Sequence, residues 1–302
     1  MQRTLAQITA VFLVLAAFVG FNIPNAEAQD SQPRVVATFS VVGDLVQNVG
    51  SDRINLVVLV GPDGDTERYE PTPGDSQALT NAAIVFENGL GSEPWLNRLM
   101  AGSRSNAQRV RVSDGIDLLR NEEHPGDFDP HIWHDAANMV RATYNVRDAL
   151  TRLDPSNSAV YFGNAEAHVQ RLQDLDSWIA SQVATVPAER RKLVTSHETF
   201  GYFAKRYGFQ IVGAGLESFF TDAQPSAGDM ARLVRDIRAA GVPVVFVENV
   251  SDPRLMERIA SEAGVRVGPA LYTDALGRSG SNGATYVDMM TYNVNSIVGA
   301  LR

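Results

Sequence analysis

The feature that most restricts the fold is the alternation of short β-branched apolar runs with amphipathic segments. A strand that is apolar on both faces must be covered on both sides, which is the situation in parallel sheets flanked by helices. The runs that we predict to be strands are Arg34–Phe39, 54–60, 83–86, 109–112, Lys192–Thr195, 209–212, 242–247 and 265–267. The sequence therefore predicts an α/β protein with parallel sheets.

The middle of the chain, residues 138–186, contains no convincing strand. Asp154 suits a helix N-cap and Pro155 the first helical position, and the apolar residues after them recur at helical spacing. We expect one long, rigid helix that joins two α/β lobes and allows little lobe motion. The predicted boundaries are 1–28 for a leader, 29–154 for the N-terminal lobe, 155–186 for the linking helix and 187–302 for the C-terminal lobe.

The first 28 residues have the composition of an export signal. Arg3 provides a positive charge, residues 8–21 are apolar, and Ala26-Glu27-Ala28 fits a cleavage site before Gln29. We expect an exported, periplasmic protein without stable membrane insertion; the alternative is an N-terminal membrane anchor. The sequence has no cysteine, so we expect no lipid-modified start, no disulfides and no thiolate metal ligands.

The net charge of −9 argues against nucleic acid or an anionic membrane as a partner. We expect a monomer.

Four segments place metal-binding side chains near predicted strand ends, where open α/β sheets bind ligands. Two of the five histidines lie in these segments, and without cysteine any transition metal must be bound by imidazole and carboxylate. The segments are Asp65-Thr66-Glu67-Arg68-Tyr69-Glu70-Pro71, Asp129-Pro130-His131-Ile132-Trp133, Ser196-His197-Glu198-Thr199-Phe200-Gly201-Tyr202-Phe203 and Tyr272-Thr273-Asp274-Ala275-Leu276-Gly277.

In this order the segments resemble motifs of the ZnuA/TroA-like family, the metal-binding receptors of bacterial ABC importers for zinc, manganese or iron. That family has DPHxYEP-like, DPHxW, SHxxFGYF-like and YxDSLG-like motifs, and the resemblance covers nearly all of the chain after the leader. It implies a receptor, not an enzyme, with one divalent ion as cargo and an ABC permease as partner. The implied ligands are Glu67 and His131 from the first lobe, and His197 and Asp274 from the second.

One position departs from the family pattern. Glu67 stands where the first motif usually has histidine, and Thr66 replaces its proline. A site of two imidazoles and two carboxylates favours harder ions such as Mn²⁺ or Fe²⁺. Two observations favour zinc instead: a histidine at the position of His197 is similar to the zinc-type members of the family, and most N/O sites bind zinc more tightly than manganese. We predict zinc, with manganese next. The alternative is an exposed loop position for Glu67, with water, Glu70 or Asp65 completing the coordination.

Other residues have plainer interpretations. We expect His134 to be exposed at a helix start; the alternative is that it approaches the metal or supports a ligand. We expect His124 to lie on a surface loop, and Glu248 to be a hydrogen-bonding residue near the cleft. His131, His197 and Asp274 have the alternative of being ordinary core or capping residues.

The alternative functions are an exported metal-dependent hydrolase, suggested by Ser196 beside His197, and a chelate-binding or adhesion protein of the same fold. Four protein ligands would close a tetrahedral site, which favours capture of the ion over catalysis.

Overall fold

The computed structural model describes residues 32–120, 126–215 and 226–302. Its first sheet is parallel, with strand order β2-β1-β3-β4. The strands are β1 (Arg34–Phe39), β2 (Asn55–Val60), β3 (Ile84–Glu87) and β4 (Gln108–Arg111). The connecting helices are α1 (Ser40–Gly50), α2 (Pro73–Asn81) and α3 (Leu96–Ser103). Every residue of β1 after Arg34 is buried, which explains its continuous apolar sequence.

Two long helices follow the first sheet. Helix α4 (Ala136–Leu153) begins at the N-cap Asp135, whose carboxylate accepts a hydrogen bond from the amide of Ala137 (2.8 Å). Helix α5 (Ser158–Val183) has 26 residues and is the predicted long helix. It begins later than predicted, because residues 155–157 form a separate 3₁₀ turn and the Asp154 carboxylate accepts from Tyr161 Oη (2.7 Å) inside α5.

The second set of strands is also parallel, in the pairs β5–β6 and β7–β8. The strands are β5 (Lys192–Thr195), β6 (Gln210–Ala214), β7 (Val244–Val245) and β8 (Arg266–Val267), and the helices are α6 (Gly201–Tyr207), α7 (Ala227–Ala240) and α8 (Arg254–Ala263). The amide of Phe246 donates to the carbonyl of Val194 (2.9 Å) and so joins the end of β7 to β5. The predicted strand 242–247 is longer than β7, because only Val244 and Val245 pair with β8.

The last helix, α9 (Tyr286–Leu301), returns to pack against α1 and α5. The largest buried apolar cluster therefore contains residues that precede α5 in the sequence and residues that follow it. A smaller cluster lies around α7 and α8. The contacts place Gln32–Arg302 in one compact unit. The lobe boundaries at 154 and 186 stay a prediction.

Within the ranges described, no helix has both the length and the apolar character needed to cross a bilayer. The predicted leader, 1–28, and His124 lie outside the described residues.

Candidate metal centre

His131 lies in the segment between β4 and α4 and is fully buried. The Oδ1 atom of Asp129 accepts from the His131 amide (2.9 Å) and lies 2.7 Å from Nδ1 of its ring. A carboxylate facing Nδ1 keeps the proton of a neutral imidazole on that nitrogen. The Nε2 atom is therefore the one with a lone pair for a metal ion.

His197 follows β5 and is held in the same way by Glu248, which lies just after β7. Glu248 Oε2 lies 2.6 Å from His197 Nδ1, and Oε1 accepts from the amides of Ser196 (2.7 Å) and His197 (3.0 Å). Both side chains are buried, with 0% of His197 and 3% of Glu248 exposed. Here too Nε2 is the nitrogen available to a metal ion.

Asp274 completes a cluster with the two histidines. Its Oδ1 lies 3.4 Å from His131 Nε2 and its Oδ2 lies 3.3 Å from His197 Nε2, while the two Nε2 atoms are 3.3 Å apart. Although Asp274 is only 1% exposed, neither carboxylate oxygen makes a hydrogen bond within the described part of the chain. Because buried carboxylates are normally satisfied, these two oxygens fit the role of metal ligands.

The spacing of the three side chains suits one metal ion. Among the described residues, His131, His197 and Asp274 are the group whose ligand atoms converge closely enough to share an ion. Ligand atoms at tetrahedral angles and about 2.0–2.1 Å from a metal lie about 3.3–3.4 Å apart. The observed separations of 3.3–3.4 Å therefore match one face of a tetrahedron and leave a fourth position for another ligand.

Charge in this cluster also favours a cation. Three buried carboxylates, Asp129, Glu248 and Asp274, surround two imidazoles. Burial by itself lowers the pKa of both histidines, but the charges of their carboxylate partners outweigh it and leave both pKa values raised, that of His197 more strongly. The histidine charges in turn lower the pKa of Asp274 against the opposite effect of burial. A divalent ion would take the place of a proton on the Nε2 atom of each histidine.

Glu67 is not part of the converging group. It is half-buried in the loop after β2, where its amide donates to Asp65 Oδ1 (2.9 Å). The carbonyl of the preceding residue, Thr66, accepts from Trp95 Nε1 (2.7 Å) and fixes the loop. The same loop contacts the Asp274 segment, because the amide of Asp63 donates to the carbonyl of Leu276 (2.8 Å). The structure thus brings together three of the four predicted ligands, and Glu67 as the fourth stays a prediction.

The prediction that His134 is exposed is wrong. Its side chain is fully buried, with Nε2 3.2 Å from Thr199 Oγ1 and the ring 4.4 Å from that of Phe200. Burial, followed by the nearby His131, lowers the pKa of His134 to about 3, so it is neutral. The error arose because a 3₁₀ turn at 132–134, and not the first turn of α4, carries this residue and directs it into the core.

Aromatic residues close the site: Trp133, Phe200 and Tyr202 are each buried. Trp133 packs edge-on against His131 at a centroid distance of 5.3 Å, and its Nε1 donates to the carbonyl of Thr273 (2.8 Å). This bond fixes the residue before Asp274 against the turn after His131. Tyr69 is only half-buried and stacks edge-on with Trp95 (5.2 Å).

Two residues hold the rings of His131 and His197, and the sequence paired neither of them with its histidine. Asp129 stands in the same motif as His131, so its position two residues earlier was a usable signal. Glu248 is 51 residues from His197, and only its place after a predicted strand suggested that it lies near the cleft.

Known proteins resemble this chain over nearly its whole length. The family model described as zinc-uptake complex component A, periplasmic, matches residues 35–300. The manganese-binding lipoprotein MntA of Halalkalibacterium halodurans is 36% identical over 96% of both chains. The metal ABC transporter substrate-binding lipoprotein SsaB of Streptococcus sanguinis is 31% identical over 94% of both.

The solved structure of the periplasmic zinc-binding protein TroA from Treponema pallidum has a similar fold. Its TM-score is 0.84 at 33% sequence identity, over 89% of this chain and 99% of that one. With a family match across nearly the whole described region and relatives above 30% identity, this chain belongs to the zinc-uptake component A (ZnuA) family of metal-binding proteins.

Proposed function

We propose that this protein captures one divalent transition metal ion outside the cytoplasm and delivers it to the permease of an ABC importer. The observation that carries the proposal is the buried convergence of His131, His197 and Asp274, with both Asp274 oxygens lacking hydrogen bonds among the described residues. Relatives whose names describe metal-binding components of ABC transporters support it.

Zinc is the cargo that we propose first, and manganese second. The 3.3–3.4 Å separations correspond to bonds of about 2.0–2.1 Å at tetrahedral angles, which are zinc distances. Manganese stays next because a relative is named for it and because the two oxygens of Asp274 face different histidines. A carboxylate that binds through both oxygens suits ions with a higher coordination number.

We further propose Glu67 as the fourth ligand. Its loop is bonded to the segment that carries Asp274, through the Asp63–Leu276 backbone hydrogen bond (2.8 Å). A carboxylate in this position would add a second negative ligand and raise the relative affinity for manganese. Two lobes with boundaries at 154/155 and 186/187, joined by α5, are part of the same proposal.

We propose a periplasmic, monomeric protein whose leader is removed and which carries no lipid. The relatives MntA and SsaB are both named lipoproteins, so this part of the proposal needs its own test. Mass spectrometry of the protein isolated from its native compartment should give the mass of the chain starting at Gln29. A species with attached acyl chains would contradict the lipid-free form.

A hydrolase is not supported. Ser196 Oγ makes no hydrogen bond among the described residues, and the ring nitrogens of the adjacent His197 face Glu248 and Asp274. No base is therefore placed to activate this serine. The named relatives are binding proteins, in agreement with a receptor and not an enzyme.

The site assignment is tested by His131→Ala. Metal at a thousandfold excess over Kd stabilises a protein by about 4 kcal/mol, which for this size corresponds to about a 10 °C rise in Tm. We expect zinc to give a rise of this order in the native protein and almost none in His131→Ala. His168→Ala is the matched control, because His168 is equally buried but lies in α5. An undiminished rise in His131→Ala would refute the assignment.

The role of Glu67 is tested by Glu67→His, with Arg68→His, at an exposed position of the same loop, as the control. If Glu67 is a ligand, the exchange should raise the zinc affinity relative to the manganese affinity, because imidazole is the softer donor. Both affinities are measured by competition with a chelator. Unchanged values for both metals would remove Glu67 from the ligand set.

A further inference from the structure

We propose that Glu248 is a positioning residue that makes His197 a metal ligand by holding the proton of its ring on Nδ1. The inference rests on the proposed function and extends it to a residue that does not itself bind the ion. It concerns the orientation and the tautomer of one imidazole, and it stands on hydrogen-bond geometry.

The contacts of Glu248 divide between its two oxygens. Oε2 lies 2.6 Å from His197 Nδ1, and Thr273 Oγ1 donates to it from 3.2 Å. Oε1 accepts from the amides of Ser196 and His197, at 2.7 and 3.0 Å. One buried carboxylate thus holds the backbone and the ring of His197, and also the residue that precedes Asp274.

All of these partners can donate a hydrogen bond, and a carboxylate can only accept. Facing Glu248, Nδ1 must therefore carry its proton, and the lone pair of the neutral ring lies on Nε2. That atom is 3.3 Å from Asp274 Oδ2 and 3.3 Å from His131 Nε2, inside the metal-binding group. The other tautomer would direct an N–H bond at the place of the ion.

A glutamine in place of Glu248 cannot satisfy all of these hydrogen-bond donors in either orientation of its amide group. If its carbonyl oxygen occupies the Oε1 position, its NH₂ group faces Nδ1, which must then accept and move the ring proton to Nε2. If the amide is reversed, the NH₂ group faces the two backbone N–H groups of Ser196 and His197, which lose their acceptor. The size is conserved in both cases, so Glu248→Gln separates the charge and acceptor pattern from the packing.

The carboxylate that holds His197 does not come from the sequence motif that contains this histidine. Asp129 holds His131 from two residues away, whereas Glu248 reaches His197 across 51 residues, from the end of another strand. The hydrogen bond of 2.9 Å from the amide of Phe246, just after β7, to the carbonyl of Val194 in β5 places it there. The second ligand is therefore oriented by the sheet, and not by its own loop.

The test measures zinc affinity by chelator competition for the native protein, Glu248→Gln and Glu93→Gln. Loss of a carboxylate that orients a metal-binding histidine typically costs about 10- to 100-fold in affinity, which is the loss expected for Glu248→Gln. Glu93 is the matched control: it is 6% exposed and accepts from the amides of Asn88 (2.7 Å) and Gly89 (3.0 Å), without contacting a histidine. Glu93→Gln should bind zinc within about twofold of the native protein. Native-like zinc affinity in Glu248→Gln would overturn the inference.

Nitrogen NMR of the zinc-bound protein gives a readout that packing alone would not change. The native protein should show His197 bound through Nε2 with a proton on Nδ1, and this measurement holds even if the variant fails to fold. Binding through Nδ1 in the native protein, or an unchanged Nδ1–H signal of His197 in a weakly binding Glu248→Gln, would refute the positioning role. If the native protein bound neither zinc nor manganese, the proposed function itself would fail.

Discussion

Gly201 lies against the carboxylate that orients the first histidine. It is the first residue of α6, and a Cβ atom added there would lie 2.4 Å from Asp129 Oδ2. Its φ angle is not positive, so close approach, and not backbone conformation, requires glycine. The same Asp129 binds both the amide and the ring of His131 through Oδ1.

Gly201→Ala should therefore weaken metal binding through Asp129. A carbon and an oxygen in contact lie about 3.4 Å apart, so the carboxylate must retreat by about 1 Å. Such overpacking costs about 1–3 kcal/mol, and the reduced entropy of the unfolded chain returns about 0.4–1 kcal/mol. The net loss of stability should be about 1–2 kcal/mol. Because Asp129 holds the His131 ring, the zinc affinity should also fall about tenfold or more.

The assay is zinc titration against a competing chelator, together with denaturant unfolding of the metal-free protein. Gly163→Ala is the control, because nothing lies within 4 Å of the corresponding Cβ position in α5. That variant should be as stable as the native protein or slightly more so, with unchanged affinity. Native zinc affinity in Gly201→Ala would show that the position of Asp129 does not control His131.

Three further predictions concern pH and stability. The pKa values of both site histidines are raised and both must lose a proton to bind metal, so zinc affinity should fall with falling pH and keep rising above pH of about 6.5; a plateau already below that pH in a chelator titration would contradict this. Leu172→Ala, at a fully buried position of α5, should cost about 2–5 kcal/mol in denaturant unfolding, whereas the exposed Gln173→Ala should stay within about 0.5 kcal/mol. Trp133→Phe removes the bond to the buried Thr273 carbonyl and should cost about 1–3 kcal/mol in the same assay, and a loss no larger than that of Gln173→Ala would show the bond to be unimportant.

Local sequence patterns predict the strands and helices well where the apolar pattern agrees with the capping and turn residues that end each element. The strands Arg34–Phe39 and Lys192–Thr195 have the predicted bounds. Helix α2 (Pro73–Asn81) begins at a clear local signal, because Thr72 and Asp75 form a capping box around Pro73. The second set of strands is less regular, since β7 and β8 pair over two residues each. The pairing of such short strands depends on which elements pack together, and no local pattern contains that information.

In the candidate site, too, local motifs were predictable from the sequence and tertiary contacts were not. His131, His197 and Asp274 were identified from motifs, and the structure brings their ligand atoms together. The burial of His134 was missed because the 3₁₀ turn that carries it has no strong sequence signal. Glu248 was predicted as a hydrogen-bonding residue near the cleft, but its partner His197 was not, because that contact depends on which strands are neighbours, and that is a tertiary property.

In the proposed site, an ion would not be the sole link between the chain segments that carry His131, His197 and Asp274. Tyr202 Oη, from α6, donates to the carbonyl of Asp129 (3.1 Å), and Ser40 Oγ accepts from the amide of Leu276 (2.9 Å) beside Asp274. Neither bond passes through the metal position, so both limit how far the ligands can separate when an ion leaves. A receptor built this way binds its ion to an already arranged group, and little binding energy is spent on rearrangement. Affinity should therefore depend mainly on the residues that fix the two imidazoles, which is why Gly201 and Glu248 are the positions to change first.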